Sequence, residues 1–113
     1  MAEDCLFCKI VSGEVPATIV RESPRTVTFR DINPQAPTHV LVIPRGHVPD
    51  VAALAAADPD TLAEIVGESA AVAADEGLNG YRLVFNTGSS VGQTVFHVHA
   101  HVLGGRFLGW PPG

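Results

Sequence analysis

Near the C-terminus, seven residues alternate strictly between apolar side chains and imidazoles: Phe96-His97-Val98-His99-Ala100-His101-Val102. Side chains along a β-strand point to opposite faces in turn. A strand over residues 95–103 therefore places Val95, His97, His99, His101 and Leu103 on one side. Phe96, Val98, Ala100 and Val102 then face the other side, toward a helix and the core. The chain has to build a sheet with one packed face and a row of three imidazoles on the other.

The rest of the sequence supplies the partners of that strand. Leu6, Phe7, Ile10 and Val11 fit a short helix over residues 5–11, closed by Ser12-Gly13. Residues 18–22 and 26–31 are β-branched runs separated by Ser23-Pro24-Arg25, the pattern of a hairpin. Two prolines mark residues 33–37 as a turn. Residues 39–44 then read as a buried strand ended by Pro44 and Gly46. After an Ala-rich tract at 51–57, Asp58 is placed to cap one long helix that starts at Pro59. Leu62, Ile65, Val66, Ser69, Val72 and Ala73 keep its spacing, and Gly77 stops it. Residues 81–86 form a further strand, and a polar loop over 88–94 leads into the histidine strand. The expected class is α+β: about five mainly antiparallel strands, one long helix and a short N-terminal helix. A chain of 113 residues has room for one domain, spanning residues 1–113. A domain this small buries a modest share of its surface, so it gains from oligomerisation.

A row of imidazoles admits three uses. One is a metal site, but at about 3.3–3.4 Å per residue His97 and His101 lie roughly 13–14 Å apart along a strand. One ion cannot bind both, because metal–nitrogen bonds are about 2.0–2.1 Å. An adjacent pair with a third ligand from elsewhere remains open. The second use is an imidazole nucleophile whose neighbours fix its tautomer and bind an anion. The third is a solvated polar sheet face, which three alternating histidines among five in the chain disfavour. His39 opens another strand and can join the row if the two strands are neighbours. Asn86 closes the strand before the loop, and the Gly-, Ser- and Thr-rich loop offers backbone N–H groups and hydroxyls to an anion.

Charge narrows the partners. Seven basic residues against twelve acidic ones give a net charge of −5, which argues against nucleic acid or an anionic membrane. A small phosphorylated ligand, held by a few local donors, remains open. With 46 % apolar and 17 % charged residues the composition is that of a globular protein. No apolar stretch approaches the ~20 residues that span a bilayer. The acidic start Met1-Ala2-Glu3-Asp4 lacks the layout of a secretory signal, so a cytoplasmic location is expected. In a reducing cytosol, Cys5 and Cys8 in a C-x-x-C spacing read as a metal half-site or redox motif sooner than as a disulfide. A thioredoxin-like site needs a preceding strand, and only four residues precede Cys5.

His97-Val98-His99-Ala100-His101-Val102 matches the signature of the histidine-triad (HIT) family of nucleotide hydrolases and transferases. Phe29-Arg30-Asp31-Ile32-Asn33-Pro34-Gln35-Ala36-Pro37-Thr38-His39, Val42-Ile43-Pro44, Asn86, Gly92-Gln93-Thr94, Gly104-Gly105 and the ending Trp110-Pro111-Pro112-Gly113 resemble its Hint branch. The resemblance runs in order over nearly the whole chain. It implies a homodimer whose subunits join helices and strands into one larger sheet. It also implies a purine nucleoside phosphoramidase, which cleaves the P–N bond of AMP or GMP joined to an amine through a covalent nucleotidyl-histidine. Of the triad His97, His99 and His101, the resemblance makes His99 the nucleophile and His101 a hydrogen-bonding partner of the reacting phosphate, with His39 orienting His99. Asn86, Gly92, Gln93 and Thr94 would line the phosphate site, Thr94 standing where the family often has Ser. Asp31 would accept from the ribose hydroxyls, Leu6, Phe7, Ile10, Phe29 and Ile32 would surround the base, and Trp110 would reach toward the partner's site.

Several bacterial members of the branch are similar in carrying a structural zinc on a Cys2His2 set, here Cys5, Cys8, His47 and His97; other members lack the cysteines. The alternative is two small buried side chains at a helix start. With zinc bound, His97 is structural and the reacting group is His39, His99 and His101. Four protein ligands leave no position for substrate, so catalysis itself is expected to need no cofactor. The rival functions are a dinucleoside polyphosphate hydrolase on the same fold, a nucleotide-binding module with incidental hydrolysis, and a zinc-dependent hydrolase that uses the histidine row.

Overall fold

Cys5 begins the first helix, α1 (Leu6–Ser12), by accepting the Cys8 N–H on its Sγ at 3.4 Å. Gly13, at φ +84°, ends it in a left-handed conformation that costs glycine no Cβ clash. These positions come from a computed structural model that describes residues 4–113; the acidic start at residues 1–3 lies outside the described residues. The expected hairpin follows as β1 (Ile19–Glu22) and β2 (Thr26–Arg30). β3 (Thr38–Pro44) is buried along its whole length, as its continuous apolar run requires.

Two helices come next. The Ala-rich tract, expected only as a low-complexity stretch, is a helix of its own, α2 (Val51–Ala57). Asp50 caps it by accepting the Ala53 N–H at 2.9 Å, and alanine is the best helix former. α3 (Pro59–Asp75) has the expected start: Pro59 is its first residue, and Asp58 accepts the Thr61 N–H at 3.2 Å. The chain closes with β4 (Tyr81–Val84) and β5 (Ala100–Gly104). The five strands form one sheet in the order β1-β2-β3-β5-β4, every neighbouring pair antiparallel. The expected α+β class is therefore met.

Alternation along β3 splits the core in two. Val40 and Val42 join Leu54, Ile65, Val72, Val98, Ala100 and Val102 beneath α2 and α3. Leu41 and Ile43 face the other way and pack with Phe7, Val27 and Phe29 beneath α1. Among the described residues, no helix is long and apolar enough to cross a membrane.

The histidine strand is shorter than residues 95–103. Its ladder with β3 begins at Ala100, opposite Val42, so Val98 would stand opposite Pro44. A proline has no N–H to give a ladder, and the Pro44 carbonyl accepts from the His97 ring at 2.8 Å. Val98 bonds instead to the Val48 carbonyl at 2.7 Å. Leaving the sheet turns Phe96 outward: it is 51 % exposed, not packed against the core as the alternation suggested.

Thr28, fully buried on the α3 side of β2, has no hydrogen-bond partner for its hydroxyl among the described residues. Burying an unpaired polar group costs about 1–3 kcal/mol, and valine keeps the β-branched shape without it. Thr28→Val is expected to raise unfolding free energy by about 1 kcal/mol, read from the urea midpoint at constant m. A lowered midpoint would mean the hydroxyl is satisfied.

Candidate active site

The strand register assembles the site. On the α1 side of the sheet His101 stands opposite Leu41 and His39 opposite Leu103, so the two histidines are diagonal neighbours across the β3–β5 ladder. Their rings meet with His39 Nε2 3.0 Å from His101 Nδ1. His99 continues the row, with its ring centroid 5.0 Å from that of His101. Phe7 of α1 stands edge-on to His99 at 5.0 Å and to Phe29 at 5.5 Å. These rings border a cleft of about 330 Å³ that Asp31, Gly92 and Thr94 also line. A larger and more open depression of about 570 Å³ around residues 77–82 and 105–108 contains no histidine, and its two arginines are spent on backbone carbonyls.

Backbone partners decide which nitrogen of each ring is free. The His97 carbonyl, 2.9 Å from His99 Nδ1, can only accept. The proton of neutral His99 therefore sits on Nδ1, and Nε2 carries the lone pair. The Gln35 N–H donates to His39 Nδ1 at 3.0 Å, so neutral His39 carries its proton on Nε2 and donates it to His101 Nδ1. His101 is left with an Nε2–H to offer. Asp31 Oδ2 lies 3.4 Å from His39 Nε2, while its Oδ1 accepts the Asn33 N–H at 2.8 Å. The direct partner of His39 is His101, whose ring lies beside His99, so any help His39 gives in orienting His99 passes through His101. Asp31, His39 and His101 also bring three potential metal ligands together. His39 cannot serve there, because the Gln35 N–H occupies one ring nitrogen and leaves the proton on the other.

Two residues of this arrangement escaped the sequence reading. Gln35 acts through its backbone N–H, and Arg106 holds the Gln35 carbonyl with two bonds of 3.1 and 2.9 Å. Neither role depends on a side-chain pattern that periodicity would reveal.

Burial sets the charge state of the row. Desolvation lowers His39, His99 and His101 below the ordinary imidazole value, His101 to about 4, where the neighbouring His99 and His39 add to the effect and Asp31 opposes it. The site is a set of neutral rings at pH 7: one lone pair and one N–H donor face the cleft.

The other expected site residues divide. Leu6, Ile10 and the 99 %-exposed Ile32 border the cleft. Gln93 does not: its buried amide donates to the carbonyls of Pro49 and Val95 at 2.8 and 3.1 Å and accepts the Gly88 N–H at 2.8 Å. Both N–H groups are spent, so Gln93 braces the loop that presents Gly92 and Thr94. Asn86, half-buried just beyond β4, and Trp110, 82 % exposed, are not among the residues lining the cleft of a single subunit.

His97 belongs to a second cluster. The ligand atoms of Cys5, Cys8, His47 and His97 all lie within 4.8 Å of one another. Three sulfur–nitrogen separations are 3.4 Å: Cys5 to His97, Cys8 to His97 and Cys8 to His47. In a tetrahedral zinc site with Zn–S about 2.3 Å and Zn–N about 2.0–2.1 Å, such ligands stand about 3.5 Å apart. His97 donates Nε2–H to the Pro44 carbonyl, which leaves Nδ1 free to bind an ion and supplies the outer hydrogen bond that orients such ligands. Burial, with Cys5 alongside, pushes the Cys8 thiol up to about 11, so a bound metal would displace a proton from it. The residues fit a closed, structural zinc site.

A fold, a histidine row and a cleft of this kind define a known class: the HIT domain family matches residues 12–108, and the chain belongs to that family. Over 111 residues it is 44 % identical to a purine nucleoside phosphoramidase of Escherichia coli K12, covering 96 % of this chain and 93 % of that one. It is 47 % identical over 113 residues to a 14 kDa zinc-binding protein of Zea mays, covering 96 % and 87 %. The crystal structure of a HIT family hydrolase from Legionella pneumophila matches with a TM-score of 0.93 at 51 % identity, over 97 % of this chain and all of that one.

The lowered histidines make stability depend on pH. Between about 4 and 6.5 the unfolded chain holds a proton on His101 that the folded protein does not, so stability rises with pH through that window. Carboxylates held low, such as Glu76 beside Arg30, add the same sign at the acid end. The urea midpoint is expected to climb from about pH 4.5 to 6.5 and to climb less in His101→Asn. Equal slopes in the two proteins would remove His101 from the account.

Proposed function

We propose that this protein is a hydrolase that cleaves purine nucleoside phosphoramidates, the conjugates of AMP or GMP with an amine, through a nucleotidyl group carried on His99. The observation that carries the reading is the His99 tautomer: its Nδ1–H is spent on the His97 carbonyl, so an Nε2 lone pair is available at pH 7 without a base. In this reading the purine lies against Leu6, Phe7, Ile10, Phe29 and Ile32, and Asp31 accepts from the ribose hydroxyls. Gly92, Thr94 and, from its strand end, Asn86 hold the phosphate, whose oxygens also accept from His101 Nε2–H.

His99 Nε2 attacks phosphorus and a P–N bond to the ring forms. The substrate P–N bond breaks, and its electron pair leaves with the amine, which takes a proton from water in the open cleft. His101 is not the acid, because the His39 N–H occupies its Nδ1 and burial keeps it neutral. The nucleotidyl-imidazole is cationic, and its Nδ1–H against the His97 carbonyl supports that charge. Water then attacks phosphorus, the P–Nε2 bond breaks with its pair returning to His99, and the nucleoside monophosphate leaves as the water gives up a proton.

Structural zinc on Cys5, Cys8, His47 and His97 would cross-link α1 to the sheet. The outer edge of β4 has no strand partner among the described residues, and Tyr81 on it and Val66 on α3 are exposed. These features support a homodimer that extends the sheet through β4 and brings Trp110 toward the partner's cleft. A C-x-x-C pair placed with two histidines, rather than in a disulfide, suits a cytoplasmic protein.

The test is AMP release from an adenosine phosphoramidate. Wild type is expected to turn over and to retain kcat at saturating substrate after chelation. His99→Ala is expected to lose about a thousandfold or more in kcat while still binding AMP. Turnover that survives in His99→Ala, or kcat that vanishes with the metal, would sink the mechanism.

A further inference from the structure

The helix that walls one side of the cleft is short, and beyond Phe7 its packing against the core is only partial, through Ile10 and Val11. α1 has seven residues, and Phe7 is its only buried side chain. Isolated helices shorter than about 12–15 residues are marginal in water, so tertiary ties must hold it in place. Leu6, Phe7 and Ile10 nevertheless all border the cleft. Beside the partial packing of Ile10 and Val11, polar ties sit at its start, where Cys5 is the cap and Cys8 lies one turn in. Their sulfurs are each 3.4 Å from His97 Nδ1, and Cys8 is also 3.4 Å from His47 Nδ1. Phe7 lies between the two cysteines and stands edge-on to both His97 and His99.

We propose that Cys5 and Cys8 are positioning residues of the nucleotide cleft: joined through the metal to His47 and His97, they hold α1 so that Leu6, Phe7 and Ile10 close its nucleobase side. The inference rests on the reading above, in which the cleft takes a purine nucleotide and the four ligands take zinc. Two effects follow. Removing the metal frees α1 and weakens binding of ligands with a base, whereas a ligand confined to the His99–His101 end keeps its affinity. Coupling is reciprocal, so a bound purine nucleotide must retain the metal by the same factor by which the metal retains the nucleotide.

The experiment compares zinc-loaded protein, chelator-stripped protein and the Cys5→Ser/Cys8→Ser variant, with zinc content measured in each. AMP and ribose 5-phosphate, which lacks the base, are titrated against all three. Zinc transfer from loaded protein to a chelating dye is followed with and without AMP. The expected result is that AMP binds about tenfold weaker to the stripped protein and the variant, that ribose 5-phosphate binds all three alike, and that AMP reduces the equilibrium transfer of zinc about tenfold. Stripped wild type serves if the variant does not fold, and the dye measurement needs no variant. Equal loss of both ligands would mean general unfolding and overturn the proposal, as would AMP affinity indifferent to the metal. Loaded protein that binds no AMP would overturn the nucleotide reading itself, and protein that takes up no zinc would overturn the metal reading.

Discussion

The bond from the His99 Nδ1–H to the carbonyl of His97 ties the chemistry of the cleft to the course of the backbone. A side-chain partner can be lost to a rotamer change, but a carbonyl two residues back in the same chain cannot move away without refolding the segment. The same logic runs through the neighbouring rings. Gln35 fixes His39 with a backbone N–H, and Pro44 fixes His97 with a carbonyl. Each of these histidines has one nitrogen committed to the main chain, which selects what the other nitrogen can do. His99 is left with a lone pair, His97 with a lone pair beside the two cysteines and His39 with a proton for His101. The hydrogen-bonding state of each ring is set by the main chain, which is the preorganisation the proposed phosphoryl transfer needs.

Much of this was legible in the alternation of residues 96–102. Period two placed the three imidazoles on one face and Val98, Ala100 and Val102 on the other, and both assignments hold. Alternation carries no information about where a ladder ends, however. That limit depends on Pro44 in a strand more than fifty residues earlier, so the outward turn of Phe96 could not be read locally. α2 went unread for a different reason: Leu54 is its only buried residue, so it has almost no apolar stripe, although Asp50 was a usable start signal. Gln93 shows a third kind of limit. A polar side chain in a glycine-rich loop fits a ligand contact and a loop brace equally well, and only its three hydrogen-bond partners separate the two. Which ring His39 touches could not be read, because strand register fixes diagonal neighbours and the sequence does not state the register.

The proposed phosphate ligand of an acidic chain needs explaining, and the arginines do not supply the answer. Arg21, Arg30 and Arg45 are paired with carboxylates, and Arg82 and Arg106 with carbonyls. Arg30 borders the cleft, yet its guanidinium makes two bonds to Glu76 on the far side of the strand, at 2.9 and 3.1 Å. What faces an anion here is a neutral imidazole N–H and a loop of small residues. Neutral donors in a sheltered site attract an anion without holding it by net charge. They also leave the His99 ring uncharged.

The split of the histidine row into two sites follows from strand geometry and one irregularity. At roughly 3.3 Å per residue the outer histidines are too far apart to share a ligand, so a regular strand would spread the three rings along one face. Pro44 ends the ladder between them. Below that point His97 turns to the cysteines of α1 and to His47, and above it His101 stays in register beside His39. His99, at the boundary, touches both groups: its N–H is on His97 and its ring lies beside His101 and Phe7. One interruption in a β-ladder thus places the free ring nitrogen of His99 between the Cys5–Cys8–His47–His97 cluster and a hydrogen-bonded pair. A longer, more regular strand would have been the better sheet and the poorer site.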